Sequence, residues 1–90
     1  MDILDVLDNY FVYKEQDLDT DEYQSALDID LAIGKLLREN TITKEESQAF
    51  YFLLSGYSFR KIAAMLNLNR KSISKRVREI IELVKELYNA

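Results

Sequence analysis

The stretch Ser58-Phe59-Arg60-Lys61-Ile62-Ala63-Ala64-Met65-Leu66-Asn67-Leu68-Asn69-Arg70-Lys71-Ser72-Ile73-Ser74-Lys75-Arg76-Val77-Arg78 predicts two helices around a tight turn. Ser58 supplies a hydroxyl to cap the first, in which Phe59, Ile62, Ala63 and Leu66 recur at helical spacing and share one side. Asn67 stops that helix, because asparagine is one of the few side chains that tolerate left-handed backbone. Asn69 caps the second helix, with Leu68 before it and Ile73 four places into it, set to pack as a hydrophobic staple. Two helices joined by so short a turn meet the definition of a helix-turn-helix.

Around the second helix, Ile73, Val77, Ile80, Ile81, Val84, Leu87 and Tyr88 form one apolar stripe, the side expected to be buried. Lys71, Ser74, Lys75 and Arg78 gather opposite it and only in the amino-terminal half, the part that enters the major groove in this architecture. Arginine and lysine donate to guanine O6 and N7, and short polar side chains reach other base edges, so these four are the base-reading candidates. Arg70 and Ser72 at the helix start are expected on phosphate, as are Arg60 and Lys61 of the preceding helix, with Tyr57 and Ser58 as lesser additions. Arg76 borders the stripe and stands between two roles, a DNA contact or an internal ion pair with the acidic helices.

Outward from this core the chain reads as more helices. Thr43 with Glu46 is a capping box for a helix through Leu54, and Gly56 is placed just past its end. Asp19 with Glu22 resembles a second box, opening a helix to about Glu39 that Asn40 closes. Ile3, Leu4, Leu7, Tyr10 and Phe11 predict an amphipathic first helix over residues 2–14. The expectation is therefore an all-α single domain of about five helices, with acidic helices over 1–41 and the helix-turn-helix part over 42–90. Leu83, Tyr10, Phe11 and Tyr13 are core or dimer-interface positions, the core being preferred.

Composition narrows the function. The 90 residues contain no cysteine and no histidine, which removes thiolate nucleophiles, the usual zinc ligands and the side chain that titrates most readily near neutrality. Asp2, Asp5 and Asp8 are spaced like the wet face of a helix rather than a metal or acid-base site, so no enzyme activity, cofactor or metal is expected. No apolar run reaches the roughly 18 residues of a membrane span and the amino terminus is acidic where a secretion signal is basic, which points to the cytoplasm. The net charge of -4 conceals opposite halves. Residues 1–31 carry ten acids against Lys14 alone, a net of -9, whereas residues 60–78 carry seven bases and no acid, a net of +7. Such asymmetry suits one segment to a polyanion and the other to a cationic partner or to shielding of the first.

Gly56-Tyr57-Ser58-Phe59-Arg60-Lys61-Ile62-Ala63-Ala64-Met65-Leu66-Asn67-Leu68-Asn69 followed by Ser72-Ile73-Ser74-Lys75-Arg76-Val77 resembles region four, the promoter-reading carboxy-terminal domain, of bacterial sigma factors, and is similar to sigma-like helix-turn-helices of small phage regulators. The resemblance runs from about Ile42 to Leu87 and implies promoter reading by Arg70, Lys71, Ser74, Lys75 and Arg78. Lys61, Asn67 and Ile80 depart from that pattern, where an acid, a glycine and a small residue are usual. The chain is too short for the sigma segment that melts promoter DNA, so the leading expectation is a stand-alone regulator binding double-stranded DNA, with a homodimer as a way to lengthen the site. Two alternatives stand beside it. One is a protein-interaction module whose acidic half docks on RNA polymerase or another regulator. The other is a phage small-terminase-like DNA-packaging protein, which predicts a ring.

Overall fold

The computed structural model describes residues 3–17 and 19–88. Six helices and no strand occur among them: α1 (Ile3–Asp8), α2 (Tyr10–Lys14), α3 (Asp21–Arg38), α4 (Lys44–Leu54), α5 (Phe59–Leu66) and α6 (Arg70–Tyr88). The all-α expectation holds, with one more helix than the periodicity gives. The extra boundary is Asn9, whose backbone leaves helical geometry at φ -118° and ψ 20°. Its backbone N–H and its side-chain amide both donate to the Asp5 carbonyl, at 3.1 and 3.0 Å. This local competition for one acceptor is how asparagine interrupts a helix.

The start of α3 also differs from expectation. Thr20, not Asp19, is the cap: its hydroxyl accepts from the Tyr23 N–H at 3.2 Å and donates to the Asp17 carbonyl at 2.9 Å. A hydroxyl does both at once, whereas an ionised carboxylate only accepts. At α4 the expected capping box forms in full, with Glu46 N–H donating to the Thr43 hydroxyl at 3.1 Å and Thr43 N–H to the Glu46 carboxylate at 2.8 Å.

Three helices end the same way. Asn40, Gly56 and Asn67 take left-handed backbone, at φ 58°, 99° and 55°. Beyond them Thr41, Tyr57 and Leu68 donate back to the carbonyls of Leu36, Phe52 and Ala63, at 2.9, 3.2 and 2.9 Å. This is the Schellman arrangement, and it fixes the direction in which each following segment leaves.

Two apolar clusters make the core. The first joins Ile3, Val6, Leu7 and Tyr10 to Ile29, Ile33 and Leu36 of α3, Phe50 of α4, and Ile80 and Val84 of α6. The second joins Ala49 of α4, Ile62 and Ala63 of α5, and Ile73 and Val77 of α6. α6 spans both, so its amino-terminal half is oriented by α4 and α5 and its carboxy-terminal half by the amino-terminal helices. Tyr10 is buried, and Tyr13 and Leu83 are half-buried against the first cluster, whereas Phe11 is exposed and meets Tyr10 edge-on at 4.8 Å.

Asp30 is the polar centre of the first cluster. One carboxylate oxygen accepts from the hydroxyls of Tyr10 at 2.6 Å and Tyr51 at 2.7 Å, and the other from the Lys14 ammonium at 3.0 Å, tying α2, α3 and α4 together. Burial, then the adjacent carboxylate, pushes both tyrosine hydroxyls well above their ordinary pKa. Among the described residues, no helix is long and apolar enough to cross a membrane.

Candidate nucleic-acid interface

Caps and packing set the pose of α5 and α6. The Ser58 hydroxyl accepts from the Lys61 N–H at 3.2 Å, and the Asn69 side-chain carbonyl accepts from the Ser72 N–H at 3.1 Å. With Ile73 and Val77 buried, helical geometry turns Lys71, Lys75 and Arg78 outward, and all three are exposed. Ser74 is half-buried and donates to the Lys71 carbonyl at 3.1 Å, which leaves its oxygen lone pairs as acceptors.

Between α5 and the start of α6 lies an open cleft of about 320 Å³ lined by Ser58, Phe59, Arg60, Arg70, Ser74 and Arg78. It brings together candidates that are up to 20 positions apart in sequence. Helical spacing places Phe59 on the apolar side of α5; it is half-buried, and its ring centroid lies 5.7 Å from the Arg78 guanidinium carbon. That distance is within cation–π range, so the ring is a platform that limits where Arg78 can point. No local pattern identifies this contact, which spans the turn. Lys71 and Lys75 do not line the cleft and project from the next part of the helix surface. Lys61 and Tyr57 are exposed, and the Tyr57 ring leans on Phe52 at 5.8 Å.

Two members of the expected set are placed differently. Arg76 is engaged internally: its Nε donates to Glu46 at 2.7 Å, one Nη to Glu79 at 2.9 Å and the other to the Thr41 carbonyl. The carboxylates of Glu79 and Glu46 raise its pKa further above its ordinary value. Of the two roles open to Arg76, its geometry is that of the ion pair, although its acidic partners lie in α4 and α6 and not in the acidic amino-terminal helices. Ser72 lies on the opposite flank from the cleft, beside Thr43, Glu45 and Glu46, and its amide is occupied by Asn69. The free-amide argument for a phosphate contact at Ser72 therefore does not apply.

Asp5 and Asp8 are exposed on α1, while Asp2 lies outside the described residues. No group of three or more acidic side chains capable of holding a metal ion occurs among the described residues. The chain matches no protein-family model, no curated protein and no solved structure.

Proposed function

We propose that this chain is a sequence-specific binder of double-stranded DNA that regulates transcription, with the amino-terminal half of α6 in the major groove. One observation carries this reading. Arg60, Lys61, Arg70, Lys71, Lys75 and Arg78 are all exposed and make no ion pair among the described residues, whereas Arg76, the inward-turned base of the same segment, is paired with acids. Leaving like charges side by side without counter-ions disfavours folding slightly, and a polyanion relieves it. Lys71, Ser74, Lys75 and Arg78 would read base edges, and Arg60, Lys61 and Arg70 would hold phosphates, with Tyr57 and Ser58 at the margin. The resemblance of residues 56–77 to sigma region four supports promoter DNA as the target. The exposed carboxylates of Asp5, Asp8 and Asp21 favour an added contact between the acidic half and a basic protein surface, such as one on RNA polymerase.

Titration of genomic duplex fragments across salt concentrations tests the proposal. With about five phosphates neutralised, log affinity falls against log salt with a slope of roughly -4 to -5. Lys75→Ala and Arg78→Ala each lower affinity for the preferred site by about 1–3 kcal/mol. Arg76→Ala instead lowers folding stability by about 1–2 kcal/mol, through loss of charge-assisted bonds, and leaves the salt slope unchanged. A flat salt dependence, or undiminished affinity in both groove-facing variants, overturns the assignment.

A further inference from the structure

On α3, Leu31, Ala32 and Lys35 lie three, four and seven residues after Asp28 and so share its side of the helix, with Ala32 at the edge that turns into the core. Leu31 is 67% exposed, the most exposed large apolar side chain among the described residues. Together with Leu87 and Tyr88 of α6 these four residues border a cleft of about 420 Å³. Asp28 and Lys35 stand about 10.5 Å apart along the helix axis and make no ion pair among the described residues. They lie three positions either side of the Leu31–Ala32 step.

That spacing is self-complementary. A two-fold axis crossing α3 between Leu31 and Ala32 lays a second α3 antiparallel on the first, puts Asp28 beside the partner's Lys35 twice over, and brings the two exposed Leu31 side chains together at the axis. The same direction brings the acidic first turn of α3, with Asp21 and Glu22, toward the basic last turn of the other helix and opposes the two helix dipoles. A face of one sign would call for a partner of the other sign. A face carrying both signs in mirrored order fits a copy of itself, the isologous contact of two-fold dimers.

We infer that the outer face of α3 is the contact through which two copies of this chain form an antiparallel, two-fold dimer. The inference goes beyond DNA binding and does not rest on it, because its readout is mass. Sedimentation equilibrium from about 1 μM to about 1 mM protein is expected to show the mass rising from the 10.6 kDa monomer toward twice that value. Asp28→Lys alone, Lys35→Glu alone and Leu31→Asp each remain monomeric, with unchanged helical circular dichroism because all three sites face solvent. Mixing the Asp28→Lys chain with the Lys35→Glu chain restores a dimer containing one of each, since both charge pairs are then opposite in sign. A wild-type chain that stays monomeric throughout, a dimer indifferent to the single reversals, or a mixture that fails to associate overturns the proposal.

Discussion

Asp30 accepts three side-chain hydrogen bonds on two oxygens, from Tyr10, Tyr51 and Lys14. Its consequence appears at alkaline pH. Tyr10 and Tyr51 hold their protons more tightly folded than unfolded, where phenols ionise near the ordinary value of 10.0. The stability this contributes is present in full below that value and is lost as pH rises from it toward the higher folded pKa values. Urea unfolding between about pH 8 and about pH 11 is therefore expected to show stability falling in the upper part of the range, and a Tyr10→Phe/Tyr51→Phe chain to lose most of that slope. An unaltered slope in the double variant would refute the linkage. None of this was legible in the sequence, where Asp30 is one of ten acids in an acidic half. Its partners lie 16, 20 and 21 positions away, beyond the reach of helical periodicity. Arg76 is a milder case: its place beside the apolar stripe left a DNA contact and an ion pair both open, and Glu46, 30 positions away, became a partner only in the fold.

The elements that were legible are those whose signals are local. At Asn67 the side chain, the stop and the next cap all lie within three residues, and the turn forms as they specify. Because its φ is 55°, Asn67→Ala is expected to cost about 1–2 kcal/mol in denaturant unfolding. Asn67→Gly should be nearly neutral, since glycine enters this region without a side-chain clash. Equal costs for the two variants would show that side-chain contacts, not backbone geometry, hold the turn. Where two residues compete for one role, local signals fail: Asp19 and Thr20 both suit a helix start, and the hydroxyl won because it also satisfies the Asp17 carbonyl. At Asn9 the periodicity is right for a single helix, and side-chain competition for one carbonyl still breaks it.

At the scale of the molecule, the two core clusters separate the charges. The acidic helices α1, α2 and α3 surround the first cluster, while α5 and the basic start of α6 surround the second, in a body 39 Å long and 18 Å across its narrowest axis. Removing α1 and α2 would strip Ile3, Val6, Leu7 and Tyr10 from the core, so the acidic end is better probed by charge alone. Asp5→Asn/Asp8→Asn/Asp21→Asn, all at exposed sites, is expected to raise non-specific duplex affinity a few-fold at low salt, with the gain vanishing at high salt. No gain at low salt would mean that the acidic end is indifferent to DNA. The basic surface was legible in the sequence because the apolar stripe of α6 fixes which way its lysines point; the cleft was not, because Phe59 and Arg78 meet only after the turn is made. The same segregation gives the molecule a permanent electric dipole. In the field of a polyanion that dipole experiences a torque favouring the orientation with α6 forward and the aspartates back.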